Sequence, residues 1–501
     1  MSLLDEIFLL FKRYTKFDHW RNVMKVIKNF VWNAGYQVFV LIVPLATVPY
    51  INRVLGPTGV GINAFTNSIV QYFILFGSLG INLYGNRGTA YRRDDKIALT
   101  KYFWEVSFLR FISVAIAVIA YLVFTFSIDK YRIFYLAQVC TLVGAAFDIS
   151  WFFQGLENFR VTVIRNVLVK ISSLILIFLL VHKANDTALY ILIMSGSQLL
   201  GNLTFWPSLS ENLTHFPEFS SIHIWHHMKP AFFLLIPELA IQIYVQLNKT
   251  MLGLLQGVTA TGFYENSDKI IKMLLALVTA TGTVLLPHVA HYFASGNYEA
   301  VKHSLVSSMH VILVIAFPLA FGIAAVSTPF TYYFFSIKFM PVAPLMAVEA
   351  IVVIPISIAS AIGVQYLLPT DQVRPYTVSV ILGSLVNIIV NVPLILWFGT
   401  MGAMIGTILS ESVVTIYQIY AIKNQLSLGE LFSESWKYCL SALIMFVFIK
   451  GWQFSCKTSM TALIVEVLLG MIVYFIVLLL FRPRILFSYI APHLDHLRHR
   501  T

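Results

Sequence analysis

Apolar runs of about 20 residues recur from one end of this 501-residue chain to the other. Each is long enough to cross a hydrocarbon core roughly 30 Å thick as a helix. Only 11% of the residues are charged and 58% are hydrophobic. Ordinary globular proteins carry roughly a quarter charged residues, and this much apolar surface cannot be hidden from water. The fold class expected is therefore all-α: a polytopic membrane protein with about fourteen transmembrane helices. The runs begin at 29–50 and 62–83, include 132–153 and 342–366, and end with the short 437–450 and with 460–481.

Charge gives the orientation. With a cytoplasmic N-terminus, 23 of the 34 Lys and Arg residues fall in inside segments and 7 outside, and four lie at membrane depth: Arg110, Lys249, Lys269 and Lys272. Basic loops stay on the cytoplasmic side, so both termini are expected inside. The formal charge of +11 then reports orientation and attraction to anionic membrane lipids, not nucleic acid. The leader "MSLLDEIFLLFKRYTKFDHW" has acids ahead of its short apolar patch and no small-residue cleavage site, so it reads as a helix lying on the membrane surface, not a cleaved signal.

The longest connection, 211–229, divides the chain. The expected organisation is a cytoplasmic or interfacial segment 1–28, an N-lobe 29–210, an inter-lobe cytoplasmic loop 211–229, a C-lobe 230–422, two further spans in 437–481, and a cytoplasmic tail 482–501. The lobes echo each other. "LGPTGVGINAFTNSI" and "LGLLQGVTATGFYENSDKI" share Leu-Gly, a glycine-bearing turn and then Gly-x7-Ile, from Gly61 to Ile69 and from Gly262 to Ile270. Internal repeats with a site between them are a common transporter plan.

The informative residues are polar ones inside the spans. Glu238, Gln242, Gln246 and Lys249 step by 4, 4 and 3; Asn63, Asn67 and Gln71 step by 4 and 4; Asn33 and Gln37 are one turn apart. Such spacing puts each set on one helix face. A charge at the bilayer centre costs about 2.5–3.5 kcal/mol on insertion scales, so these faces should turn into the bundle or a wet cavity. The bland alternative for any single amide is interhelical glue. Lys249 has no acid within one turn of its own helix, and two partners are open to it: a resident acid, Glu238 or Glu265, or an anionic substrate, with Arg53 assisting. Lys269 and Lys272 have Glu265 and Asp268 one turn away as i,i+4 partners. The intramembrane carboxylates Asp148, Glu238, Glu349 and Glu411 are candidates for carrying a coupling ion.

Other chemistry is not indicated. Cys140, Cys439 and Cys456 are scattered and form neither a disulfide framework nor a metal set. His223, His226 and His227 in "HIWHHMK" lack a further ligand nearby, which leaves a wet interfacial segment. No phosphate-cradling glycine loop, nucleophile triad or ATPase motif occurs, and no loop has the size a membrane glycosyltransferase or polymerase would use. The expectation is a transporter, not an enzyme, with no metal and no cofactor.

Several stretches together resemble the bacterial oligosaccharide-lipid (Wzx-type) polysaccharide flippases of the multidrug/oligosaccharidyl-lipid/polysaccharide exporter superfamily: "NAGYQVFVLIVPLATVPYINRVLGPTGVGINAFTNSIVQYFILFGSLGINLYGNRGTA", "IPELAIQIYVQLNKTMLG", "TGFYENSDKIIKM", "GTVLLPHVA" and "NVPLILWFGTMGAMIGTILSE". The resemblance implies two pseudo-symmetric six-helix lobes plus two C-terminal helices in the cytoplasmic membrane. It implies alternating-access translocation of an undecaprenyl-pyrophosphate-linked oligosaccharide to the outer leaflet for surface polysaccharide synthesis, with a polysaccharide polymerase and export proteins as partners. On that reading Arg53, Lys249, Lys269, Lys272 and Arg87 hold the pyrophosphate, while Asn33, Gln37, Asn63, Asn67, Gln71, Gln242 and Gln246 line the sugar cavity. The alternatives are a lipid-linked peptidoglycan precursor flippase and a cation-coupled multidrug exporter; the latter would use an acid-lined lobe. Two departures matter. Asn248 stands where the family usually has an acid before the lysine, and Arg87 is followed by Gly88 where the family has Glu.

Overall fold

The computed structural model describes residues 43–218, 220, 222–455 and 459–483, all helix, turn or irregular chain with no strand among them. The leader, Asn33, Gln37, Cys456, Lys457 and the tail from 484 lie outside the described residues, as does most of the first expected span. Eleven helical stretches among the described residues are long and apolar enough to cross a membrane. The protein is a multi-pass membrane protein.

Helix α1 occupies 43–78 and contains Gly56 at φ 67 immediately before Pro57. A left-handed glycine followed by proline is a helix-ending signal, so the first and second runs meet at this point. After α1 come α2 (Ile81–Arg92), α3 (Lys96–Ser127), α4 (Arg132–Ala146), α5 (Ser150–Gly155), α6 (Phe159–Leu180) and α7 (Thr187–Leu203). The expected single run 132–153 is thus two helices, α4 and α5. Asp95 starts α3 by accepting from the Ile97 and Ala98 amides, satisfying two of the orphan donors at a helix start. The second half continues with α8 (Met228–Leu255), α9 (Val258–Ala294), α10 (Tyr298–Phe330), α11 (Val342–Glu349), α12 (Val353–Ile362), α13 (Val373–Phe398), α14 (Thr400–Ile422), α15 (Leu428–Leu431), α16 (Ser435–Ser455) and α17 (Met460–Phe481). The weak run 437–450 is a full 21-residue helix, α16. The run 342–366 is interrupted by a 3-10 turn, Ala350–Val352, and passes into a π turn, Gly363–Leu367.

The chain forms two compact units, 1–50 with 70–239 and 51–69 with 240–501. The division falls inside α8, and 51–69 belongs to the second unit. The first unit is built around an aromatic core that includes Phe103, Trp151, Phe152, Phe153 and Phe205. The second has a larger apolar core through α9, α10, α12, α14, α16 and α17, with Met309, Leu313, Ile362 and Tyr438 fully buried. Polar contacts seat the last two helices: the Gln453 amide donates to the Ala325 carbonyl and to Glu466, and the Tyr474 hydroxyl to the Val314 carbonyl.

Within the second unit the echoed sequences meet. The Thr58 and Thr259 hydroxyls, 201 residues apart, lie 3.0 Å from each other. Gly61 and Gly262 are offset by the same interval, and so are the turn glycines Gly56 and Gly257, both at positive φ. A Cβ on Gly61 would overlap the Val258 carbonyl oxygen, and one on Gly262 would overlap that of Pro57; Pro57 and Val258 are again equivalents. The Asn52 amide donates to Asn266 at 2.8 Å, while the Phe65 ring covers Gly253, the same pairing with partners exchanged. If i touches j and the equivalent of j touches the equivalent of i, the interface is self-complementary about a two-fold axis. Here that axis passes by the Thr58/Thr259 and Gly61/Gly262 pairs.

This pairing is directly testable. In a background lacking the three native cysteines, Thr58→Cys with Thr259→Cys is expected to form a disulfide on mild oxidation. Thr66→Cys with Thr259→Cys, about 12 Å further along the helix at 1.5 Å per residue, should stay reduced. Mass spectrometry of the oxidised protein reads both, and an uncrosslinked 58/259 pair would refute the seam.

Candidate functional site

The α8–α9 hairpin turns at Gly257, whose φ of 92 is open to glycine and strained for any side chain. Residues equally far from that turn therefore face each other. Lys249 and Glu265 are such a pair, with Nζ 2.7 Å from Oε2, and close by, off the symmetric register, Asn248 donates to the Tyr264 hydroxyl at 2.8 Å. Both side chains of this ion pair are mostly buried, 15% and 18% exposed. The other Glu265 oxygen is 3.6 Å from Lys269 Nζ, and one turn along Lys272 Nζ lies 2.8 Å from Asp268. Lys269 and Lys272 remain more open, at 39% and 50%.

Beside these ion pairs lies a cavity with a water-accessible volume of about 60 Å³, bounded by Asn248, Tyr264, Asp268, Lys272, Glu349, Thr407 and Glu411 among others. It has room for a few waters. Glu349, from α11, is 1% exposed and accepts from the Ser267 hydroxyl. Asn248 sits in a neutral amide network: it donates also to Thr407 Oγ1 at 2.9 Å and accepts from Asn391, which in turn donates to Asn387. The acid that the resemblance leads one to expect at position 248 is replaced by a group bound entirely to uncharged partners. The counter-charge for Lys249 comes from α9.

Of the two partners open to Lys249 from sequence, the structure provides the resident acid. Arg53 also has a resident contact: it is exposed, and its guanidinium donates to the Tyr333 carbonyl at 2.8 Å, in the π turn Thr331–Phe335 that follows α10. Asn63 and Asn67 are half-buried in the same unit. Gln242 is exposed, and Gln246 is half-buried with its Oε1 atom lacking a donor among the described residues. Arg87 and Gln71 fall in the first unit, where the Arg87 guanidinium bonds the Tyr91 hydroxyl at 3.1 Å and lies over its ring.

The first unit has its own buried charges. Arg110, 2% exposed, donates to the Ala145 carbonyl at 2.6 Å and to Asn82 at 2.8 Å, with Asp148 at 3.9 Å and Glu238 within electrostatic range. Ala145 lies at the end of α4, so this guanidinium satisfies a helix-end carbonyl that oil would leave unpaired. Asp148 also caps the Ser150 amide at the start of α5. The ion-coupling candidate Asp148 thus has a structural task at the break in 132–153.

One sequence expectation is overturned. The "HIWHH" segment is not uniformly wet: His223 and His226 are exposed, but His227 is 5% exposed. Its Nε2 lies 2.8 Å from Glu105 and its Nδ1 lies 2.7 Å from the Tyr84 hydroxyl, while Glu105 also accepts from the His223 amide at 2.9 Å. Burial pushes the His227 imidazole below its ordinary value, against the opposing pull of Glu105. The acid that captures it comes from α3, more than 100 residues away, and could not be seen in the local sequence. Glu265 was more legible: it and Lys249 lie symmetrically about Gly257, which a hairpin register would have brought together.

A family profile described as "Polysaccharide biosynthesis protein" matches residues 26–293. The chain is 24% identical over 413 residues to the "Putative O-antigen transporter" of Escherichia coli (strain K12), across 80% of this chain and 98% of that one. Its fold is similar to that of "Lipid II flippase MurJ, inward closed conformation", with a TM-score of 0.74 at 16% identity over 90% of this chain and 98% of the other. An inward-facing multidrug resistance MATE family transporter follows at a TM-score of 0.54 and 12% identity, over 77% and 98%.

The pairing predicts a specific stability pattern. Removing one member of a mostly buried ion pair strands the other, at a cost of about 3–5 kcal/mol when burial is complete. Lys249→Gln should therefore lower the melting temperature of the purified protein, and Lys249→Gln with Glu265→Gln should recover most of the loss. Equal destabilisation in the single and double variants would contradict the pair.

Proposed function

The chain belongs to the polysaccharide biosynthesis protein family, and from that premise we propose that it is a flippase moving an undecaprenyl-pyrophosphate-linked oligosaccharide from the cytoplasmic to the outer leaflet of the bacterial inner membrane. The physical problem is to carry a pyrophosphate and a hydrophilic sugar chain through oil while the polyprenyl tail stays in lipid. The observation that carries the reading is the row of ammonium groups on one hairpin, Lys249, Lys269 and Lys272, graded from mostly buried to half exposed, on helices that the apolar runs of the sequence assign to the membrane. Cations on such helices mark substrate or ion pathways. Arg53 adds a fourth, while Asn63, Asn67, Gln71, Gln242 and Gln246 supply adaptable hydrogen bonds to sugar hydroxyls. Arg87, in the basic 87–101 segment, meets the headgroup as it enters from the cytoplasmic side.

Transport needs no catalyst and no ATP. Each net negative charge moved outward from a negative interior gains about 2.3 kcal/mol per 100 mV, and consumption of product by a polymerase and export machinery outside draws the reaction on. Glu349 and Glu411, on the cavity beside the cation row, are the carboxylates placed to carry a coupling ion; Asp148 and Glu238 are engaged around Arg110. Both termini lie inside, as the loop charges require.

The expected outcome in reconstituted vesicles is that Arg53→Ala, and Lys249→Gln in the Glu265→Gln background, each lower lipid-oligosaccharide translocation at least tenfold while inserting normally. Lys249→Arg should keep part of the activity. Wild-type rates in the first two variants would remove the cation site, and transport of a peptidoglycan precursor in place of the oligosaccharide lipid would reassign the substrate.

A further inference from the structure

We infer that Glu265 is an exchangeable counter-ion: it occupies on Lys249 and Lys269 the place that a substrate phosphate oxygen takes, and its return to the ammonium groups drives release. This rests on the flippase reading above and adds to it a residue that sets affinity and turnover.

Three observations lead there. The first is geometric. One carboxylate faces two ammonium groups, at 2.7 and 3.6 Å, as a phosphate oxygen would, and the cluster is not sealed, since the Lys269 side chain is 39% exposed. The second comes from the repeat. With the 201-residue offset fixed by Thr58 and Thr259, Lys249 corresponds to Val48 and Glu265 to Ala64, both buried and apolar. Asp268, Lys269 and Lys272 correspond to Asn67, Ser68 and Gln71. The same helical frame is built in the first copy with no charge at any of the five positions, so the fold does not require them. A buried ion pair can often be replaced by apolar residues without loss of stability; its presence in one copy only points to a task beyond folding.

The third is energetic. A bare ammonium at this depth would be costly and would shed its proton or seize an anion. A resident carboxylate 2.7 Å away gives Lys249 a counter-charge and holds it in position when the site is empty. Substrate binding then exchanges one charge-assisted contact for another instead of creating a new one. The net gain is small, which holds affinity in the range a carrier needs to let go.

The test compares wild type, Glu265→Gln, Glu265→Asp and Lys249→Gln/Glu265→Gln, with binding of undecaprenyl pyrophosphate and of inorganic pyrophosphate to the purified protein and with translocation kinetics in vesicles. Glu265→Gln is expected to bind both probes at least tenfold tighter and to lower KM and kcat together, because nothing competes the phosphate away. Glu265→Asp, which keeps the charge, should fall between it and wild type, and gives the answer if Glu265→Gln does not fold. Unchanged or weaker binding in Glu265→Gln, with binding lost in the double variant, would overturn the exchange and leave Lys249 as a phosphate ligand. Binding that is equal in all four proteins would overturn both the exchange and the cation site.

Discussion

Gly61 and Gly262 leave no space for a Cβ where the two copies of the repeated turn cross, and much of the second unit is arranged around that closeness. In hydrocarbon there is little hydrophobic drive to press helices together, so packing depends on small residues that let backbones approach. With the glycines in contact, Asn52 reaches Asn266, Phe65 covers Gly253, and the two threonines at the axis share a hydrogen bond. The same contact fixes 51–69 to the unit formed by 240–501, although in sequence that segment belongs to the first half.

Once helices are seated in this way, charge inside them is governed by a simple requirement: each buried ionic group needs a partner or a vacancy that water or substrate can fill. Arg110 takes a helix-end carbonyl, an amide and a nearby carboxylate. His227 is held between Glu105 and Tyr84. The α8–α9 hairpin differs, because its ammonium groups run from a mostly buried pair to half-exposed ends and abut a cavity. The first two arrangements consolidate a break in a helix and a connecting segment; the third has both charge and access.

The repeat separates what the crossing requires from what it does not. Glycines and threonines recur at equivalent positions in both copies because both must make the same crossing. The charges do not recur: where the second copy has Lys249, Glu265, Asp268, Lys269 and Lys272, the first has valine, alanine, asparagine, serine and glutamine. At these positions the first copy is uncharged and the second ionic.

Much of this was legible in the sequence. Apolar length dictated membrane helices, since a chain in oil must satisfy its own backbone. The polar spacing of Gln242, Gln246 and Lys249 put them on one face, and the echo around Gly61 and Gly262 marked the repeat. These are local or periodic properties, readable along the chain. What only the tertiary structure decided was which partners meet: Glu265 on Lys249, Asn248 drawn into an amide network, Asp148 given to Arg110 and a helix start, His227 buried against Glu105 when its neighbours remain exposed. Ion pairs and hydrogen bonds act over a few ångströms, and the groups that come that close are chosen by how helices cross and in what register, which no single helix contains.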